Sequence, residues 1–373
     1  MLYSHLREEL QKFFSKYPGL EWKKPVSVIN DAFPGTFNLS FNEPEHLELF
    51  GSYIDYPRPL LFGKIQPVIR YNDFLEKIIP GKDTYKYLGL FDMGGISLSY
   101  PDNKNLKKVV EQIIELGFQF LIENLCLDCK KLFIKLSNGG MISDITRGKY
   151  TFNKKILPDF ISIEKWSKLG INEKQIIFDS SRDTFLSLYL FGRPSPWGYR
   201  TEILYDIGKG TDPDNLLDIG TIEYLPWRPV IKNGEIIDII ENSSFNALIV
   251  FGLERLLLVK NSLNHIVECD HILPLYQKIV SDSKIPKSHE HFLLTEALRV
   301  VHRILIDKVT YNKNLKRHRR KKLKHYLTVI ADLFYKLNIK KEKIIDYLVL
   351  NSELNKFYPE LKNIDLIIEE INF

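Results

Sequence analysis

Apolar positions recur at helical spacing from the start of the chain. Leu6, Leu10, Phe13 and Phe14 mark one stripe, which predicts an amphipathic helix over 3–16. From 26 to 100 the pattern changes to short apolar runs broken by Gly, Pro and Asn. Within it, "PLLFGKIQPVIRYND" and "YKYLGLFDMGG" predict neighbouring strands joined by the loop "FLEKIIPGKDT". Residues 104–124 return to helical spacing, and "KKLFIKL" predicts a strand. "ISIEKWSKLGINEKQIIFD" reads as helix, turn and strand. Further strands are predicted over 200–206, 217–225 and 247–250, and "GLERLLLVKNSL" opens a helix at a glycine. Helices and strands in this irregular order predict an α+β fold, an antiparallel or mixed sheet with helices packed on it.

Beyond about 285 the strand pattern stops. Leu294, Ala297, Leu298, Val301, Ile304 and Leu305 stand at helical spacing, and "HYLTVIADLFYKLNI" and "EKIIDYLVL" continue in the same way. The polar stretch "SDSKIPKS" predicts a boundary, giving a first domain over 1–284 and an all-helical one over 285–373. No internal repeat or low-complexity tract interrupts either part.

Composition narrows the class. Of 373 residues 44% are apolar and 27% charged, enough for a sizeable core and unlike a disordered chain. Three cysteines make no disulfide framework, so a cytoplasmic, reducing compartment is expected. No signal peptide or membrane span is expected either, because charges interrupt every long apolar run. The net charge of +5 is uneven. Residues 286–330 hold twelve Lys or Arg against Glu290, Glu296 and Asp307, a surplus of nine that leaves −4 for the rest. A local contact with a polyanion fits that asymmetry.

Two arginines carry the candidate chemistry. "QPVIR" runs a strand into Arg70. "GLER" sets Gly252 at the start of a helix with Arg255 in its first turn, a cation beside free backbone N–H groups that suits a phosphate. Each alone reads more readily as surface charge, Glu254–Arg255 being then a solvated pair on the helix. Their order is more informative: a strand ending in arginine, a loop, the strand "LFDM", and later Gly-x-x-Arg at a helix start. This layout resembles class II aminoacyl-tRNA synthetases, and within them the alanyl-tRNA synthetase family. "QPVIRYND" resembles that family's motif 2 strand, "LFDMGG" its returning strand, and "KWSKLGINEKQIIF" its insertion helix and strand. "FGRPSPWGYRTEILYD" is similar to its Gly/Pro/Cys-rich pocket loop, "IGTIEYLPW" to its next strand and "GLERLLLV" to motif 3. "LLTEALRVVHRILIDKV" onward resembles the start of its tRNA-recognition helices. The family's editing and C-terminal oligomerisation regions have no counterpart in these residues, so a truncated or divergent paralogue is expected.

The resemblance implies ATP-dependent activation of an amino acid or small carboxylic acid as its adenylate, with Mg2+ on the phosphates and transfer to tRNA. It implies that Arg70 holds acid and α-phosphate, Arg255 the γ-phosphate, and Lys86 the outer phosphates, with Gly252 and Asp92 beside the nucleotide. It implies a pocket wall from Tyr189, Trp197, Thr221, Leu248 and Glu202, the alternative for Trp197 and Tyr199 being core packing under a rigid turn. Departures cluster on the amino-acid side. Leu248 stands where the family has the acid that holds the substrate ammonium, Thr221 replaces an asparagine, Lys86 replaces the motif 2 loop arginine, and Ser195, Trp197 and Tyr199 replace pocket-loop glycines and cysteines. An ammonium buried without a carboxylate is costly, so alanine is expected to be a poor substrate; the alternative is that Glu202 or Glu223 has taken over the ammonium. Asp92, Glu202, Asp206 and Asp218 remain for magnesium or ammonium duty. Three readings stay open: an aminoacyl-tRNA ligase, an enzyme activating an acid outside translation, and a non-catalytic tRNA-binding paralogue.

The remaining motifs are less specific. Cys126 and Cys129 form a lone C-x-x-C, and His265, Cys269 and His271 lie close together in "HIVECDH"; both read more readily as packed side chains than as a metal site. In "KRHRRKK" the residues Arg317, Arg319, Arg320 and Lys321 are expected to touch RNA phosphates, the alternative being a solvated helix face.

Overall fold

Alternation along five consecutive partners builds the floor of the molecule. The structure, a computed structural model, describes residues 1–77, 86–143, 153–187, 194–233 and 235–371. Its strands are β1 (Glu21–Trp22), β2 (Leu60–Ile69), β3 (Leu90–Tyr100), β4 (Leu132–Ser137), β5 (Gly140–Ser143), β6 (Asn153–Ile156), β7 (Ile176–Asp179), β8 (Phe185–Ser187), β9 (Trp197–Tyr205), β10 (Leu217–Lys232) and β11 (Glu235–Gly252). Among the described residues nine of them form one sheet in the order β1-β2-β3-β11-β10-β9-β4-β7, with β8 paired to β9; β5 and β6 form a separate ribbon. Neighbours run antiparallel except β1/β2 and β4/β7. The fold is thus α+β, as the mixed pattern predicts.

The helices are α1 (Tyr3–Phe14), α2 (Glu43–Phe50), α3 (Tyr71–Lys77), α4 (Leu106–Gln119), α5 (Phe160–Lys168), α6 (Leu253–Asn261), α7 (Leu273–Asp282), α8 (His289–Thr310), α9 (Arg317–Lys336), α10 (Lys343–Leu354) and α11 (Ile368–Ile371). On one face of the sheet α1, α4 and α6 bury their apolar stripes; Tyr3, Leu6, Leu10 and Phe14 of α1 are all buried at i, i+3/i+4 spacing. Close approach is set by small residues around Ile249. A side chain at Gly95 would meet the Ile249 carbonyl oxygen at 1.9 Å, and one at Gly117 of α4 would meet Ile249 Cδ1 at 2.3 Å. The other face of β2, β3, β11, β10 and β9 carries the cavity described below.

The helical region from α7 onward does not stand apart. Its core includes Val28, Ile29, Phe37, Ile69 and Phe74 together with Leu294, Val301 and Tyr326. The division expected at 284/285 falls between α7 and α8, yet Leu275 and Ile279 of α7 already belong to that helical core. Buried carboxylates tie the parts together: Gly89 N donates to Glu296 Oε2 (2.7 Å) and Val28 N to Asp307 Oδ2 (2.6 Å). Two sequence expectations fall short in extent. The region read as a loop after Arg70 begins with α3, its remainder lying outside the described residues, and β10 and β11 continue well beyond 225 and before 247. No described helix is long and apolar enough to cross a membrane.

Candidate active site

A cavity of about 440 Å³ opens over the middle of the sheet. Its floor follows from strand alternation: Met93 on β3, Leu248 and Val250 on β11, Thr221 and Glu223 on β10, and Arg200 on β9 all face one way. Leu39, Phe41 and Glu43 wall one side. Arg70, just past the end of β2, and Arg255, in the first turn of α6, enter from the other. Five residues singled out in the sequence therefore converge: Arg70, Thr221, Leu248, Gly252 and Arg255, with Asp218 beside them.

Arg255 is held in place by oxygen atoms. Its Nε donates to the Lys86 carbonyl (3.2 Å), and one terminal nitrogen donates to the Asp218 carbonyl (2.9 Å) and to Asp218 Oδ2 (3.1 Å). Arg70 is less satisfied. Its Nε is buried without a hydrogen-bond partner, as are Arg200 Nε and Asp218 Oδ1. Burial draws the Arg70 guanidinium below its ordinary value; Asp73 opposes the fall, and the Arg200 and Arg255 guanidiniums add to it. For Arg200 burial also works against the cation, but Glu223, Glu202 and Asp218 outweigh it and raise the value. Three guanidiniums around one cavity, with donors left over, make a receptor for an anion.

One member of this set was not singled out in the sequence, and another was named there only as a substitute for the missing acid. Arg200 has no role in the sequence reading, and Glu223 lies one strand over from Leu248 as its direct cross-strand partner. The alternation of Arg200 with Glu202 and of Thr221 with Glu223 was the available signal, since residues two apart on a strand share a face. Glu223 corrects the expectation that Leu248 leaves the cavity without a carboxylate.

Other assignments do not hold in place. Trp197 is fully buried inside β9 and packs near Phe185 and beneath the Arg182 guanidinium, 5.2 Å from its ring, so it is core and not cavity wall. Tyr199, its neighbour but one, packs on Tyr224 and Trp227 and donates its hydroxyl to the Leu157 carbonyl (2.7 Å). Glu202 turns away to Lys135 (3.2 Å) and shares Arg200 (3.6 Å). Lys86 lines a small neighbouring cleft and points its Nζ to the Asp214 carbonyl (3.4 Å). Asp92 lies on the opposite face of β3 from Met93, where it accepts from the hydroxyls of Tyr3 (2.7 Å) and Tyr358 (2.6 Å) and pairs with Arg7. Strand alternation is the reason: neighbours in sequence face opposite sides. Tyr189 lies outside the described residues.

The basic run divides in the same manner. Arg317, Arg320 and Lys321 are exposed on α9. Arg319 is buried and donates to the carbonyls of Thr36 (2.6 Å), Phe33 (2.7 Å) and Asn30, so it fastens the 30–36 segment and does not reach outward. The motif of His265, Cys269 and His271 also resolves into packing, whereas Cys126 is exposed and Cys129 half-buried. His271 stacks on Tyr3 (3.6 Å between rings), Cys269 donates to the Glu254 carbonyl, and His265 Nδ1 accepts from Val267 N. No group of three or more His, Cys, Asp or Glu among the described residues could hold a metal ion.

No family model matches the chain, and neither does any curated protein. Two solved structures to which it has some likeness are synthetase structures. One is the RNA binding domain of threonyl-tRNA synthetase from Cryptosporidium parvum Iowa II, with a TM-score of 0.41 and 11% identity over 69% of this chain. The chain spans 64% of that domain, under two thirds of its length. The other is apo histidyl-tRNA synthetase of S. aureus, with a TM-score of 0.36 and 12% identity, covering 75% of this chain and 74% of that one. Neither is an alanyl-tRNA synthetase, and scores this low carry no inference about activity.

Proposed function

We propose that the chain is a ligase-like enzyme that uses ATP to activate a carboxylic acid as its adenylate and passes the acyl group to a tRNA 3′ end. The observation that supports this most is the convergence of Arg70, Arg200 and Arg255 on one cavity, with buried N–H groups unmatched by any acceptor. A triphosphate and a carboxylate together supply the anionic oxygen atoms that such donors lack. The cavity also lies within the usual size range of small-molecule sites, roughly 300–1,000 Å³.

In the proposed reaction a carboxylate oxygen attacks the α-phosphorus, the bond from that phosphorus to the bridging oxygen breaks, and pyrophosphate leaves with the electron pair. No side-chain nucleophile is needed; the protein positions two anions and offsets the charge that grows between them. Arg70, buried and short of acceptors, is suited to the attacking acid and the α-phosphate. Arg255, braced by Asp218, is suited to the outer phosphates. Magnesium would enter with the nucleotide and neutralise its phosphates, since the described side chains form no metal-holding cluster. Arg317, Arg320 and Lys321 are suited to a nucleic-acid backbone.

The test is ATP–pyrophosphate exchange across a panel of amino and non-amino acids, with and without tRNA, beside calorimetry with ATP. Arg255→Ala should weaken ATP binding by roughly 1.5–3 kcal/mol. Equal affinity in both proteins removes Arg255 from the site. Binding of tRNA with no exchange on any acid favours the non-catalytic paralogue.

A further inference from the structure

We propose that a cleft on the far side of the sheet is a second small-molecule site, for an anion that carries one flat ring. Its existence does not depend on what fills the front cavity. The cleft has a volume of about 270 Å³ and lies between α1, the edge strands β1 and β2, and Phe357 beyond the end of α10. Ile65 of β2 forms its base. Ile65 pairs with Gly94, one residue off the row that sets Met93 in the front cavity, so the two openings lie on opposite faces of β2 and β3. From α1 come Ser4, Arg7, Glu8 and Gln11, spaced at i, i+3, i+4 and i+7. They make a polar stripe beside the buried one of Tyr3, Leu6, Leu10 and Phe14.

Two aromatic rings are fixed in the walls. Trp22 lies close over Gly63, where a side chain would come within 2.5 Å of the indole Cζ3, so the glycine is what lets the ring settle onto β2. Phe357 stacks on Arg7, with 4.1 Å from the guanidinium carbon to the ring centre, and packs edge-on against Tyr358 at 4.9 Å. Both rings are only half-buried, which leaves each with area for a ligand.

Donors are left over beside the rings. Arg7 gives one terminal nitrogen to Asp92 and to the Tyr358 hydroxyl (3.3 Å); no described residue offers an acceptor to its Nε or to its other terminal nitrogen. Its side chain is 12% exposed, so those N–H groups are largely shielded from bulk water, and an acceptor brought to them counts for more than at an open surface. Lys23 Nζ stands 3.9 Å from the exposed Glu21 carboxylate, beyond hydrogen-bond reach, and 5.4 Å from the Phe62 ring centre. The side chains of Ser4 and Gln11 have no partner among the described residues either. A carboxylate or phosphate supplies the acceptors that Arg7 and Lys23 lack, and a ring supplies a face for Trp22 and Phe357. The volume falls just below the roughly 300 Å³ at which small-molecule sites begin, which holds the ligand to about one ring. Glu8 is the one acid in the lining, and it opposes an anion.

The probes are benzoate and phenyl phosphate, with benzamide as the uncharged counterpart and inorganic phosphate as the ringless one. Calorimetry on the full chain is read beside indole fluorescence. At least one ring-bearing anion is expected to bind wild type with a Kd on the order of 1 mM, and about ten times more tightly than benzamide or inorganic phosphate. The tighter of the two anions identifies the acidic group. Lys23→Gln should weaken that binding by roughly 3–10-fold, and Glu8→Gln should tighten it by about 2–3-fold. Neither side chain makes a hydrogen bond in the fold, so both variants should unfold as wild type does. Trp22→Phe should remove the ligand-induced change in indole emission while calorimetric binding persists. Excess ATP separates this site from the front cavity. A probe displaced by ATP and indifferent to Lys23→Gln binds in front and overturns the proposal. No binding of either anion at about 10 mM, or equal binding of benzamide, overturns it as well.

Discussion

The two faces of β3 treat charge in opposite ways. Behind the strand, Asp92 accepts from Tyr3 and Tyr358 and pairs with Arg7, while Glu254 accepts from Asp92 N (3.0 Å) and lies 3.6 Å from His271. Arg303 in the same layer holds Asp307 and Glu360 at 2.7 and 2.8 Å. Burial, with Asp92 next to it, pushes Glu254 far above the usual carboxylate range, and burial with Arg299 nearby holds His271 down at about 3, hence neutral. In front, Arg70, Arg200 and Asp218 keep unmatched polar atoms, and Glu223 meets one distant cation. Sequence neighbours are divided between the two networks: Asp92 from Met93, Glu254 from Arg255. The difference teaches that burial of charge alone does not mark a site. Behind β3 ion pairs and hydroxyls join helices to the sheet, although His271, Arg303 and Asp307 also keep buried atoms without a hydrogen bond, whereas in front the unmatched arginine atoms belong to residues that border an open cavity.

The largest difference between the two faces is expected at Asp92. Asp92→Ala strands the buried Arg7 guanidinium and two hydroxyls, and urea unfolding should show a loss of about 3–5 kcal/mol. On the cavity face Arg70→Met should leave the unfolding free energy unchanged or raised, because it removes an underpaired cation, while ATP–pyrophosphate exchange collapses. Similar losses of stability at both positions would erase the distinction.

The same contrast is repeated inside one basic run. Arg319→Gln loses charged bonds to three backbone carbonyls and should cost roughly 2–3 kcal/mol in thermal or chemical unfolding. A loss within about 0.5 kcal/mol would mean that the 30–36 segment does not depend on it.

Glu223 gives a pH test whose sign is opposite to that of a paired carboxylate. Burial pushes it from 4.5 up to about 7, against Arg200. The folded protein therefore keeps a proton that the unfolded chain releases, so stability falls as pH rises between those two values and is flat on either side. The full shift is on the order of 3 kcal/mol. Glu223→Gln should match wild type in acid and exceed it by about 1–3 kcal/mol near pH 8, measured by urea unfolding across pH. A difference independent of pH would show that Glu223 is already satisfied.

The smallest effect on stability belongs to the exposed cations. Changing Arg317, Arg320 and Lys321 together to Gln should move the unfolding free energy by no more than about 0.5 kcal/mol. Binding to bulk tRNA should weaken and the log–log salt slope should become shallower by roughly 2–3. Unchanged binding and slope would leave α9 without a nucleic-acid role.

Much of the architecture was legible because periodicity is local. The stripe Leu6–Leu10–Phe14, the strands before Arg70 and after Leu90, and the helix opening at Gly252 all follow from spacing within about ten residues. The long hairpin was read only at its inner ends, 217–225 and 247–250. Its outer part exposes Ile231, Ile237 and Ile240, so the buried-against-exposed alternation fades there; the Asn233–Gly234 pair was the remaining hairpin signal.

Local sequence sets which stretches are helix or strand, that the sheet is mixed with helices, and that two arginines stand at element ends. These are properties of a residue and its near neighbours. Which charges meet depends on how distant segments pack. Helical spacing puts Arg319 in line with Leu323, Tyr326 and Ile330 on the packed side of α9, but that its partners are the carbonyls of the 30–36 segment follows only from how the two segments dock. Nothing local places Glu223 beside Leu248, twenty-five residues away; the β10/β11 register does. A charge acquires its role from the dielectric and the partners around it, and both are set by segments far apart in the chain.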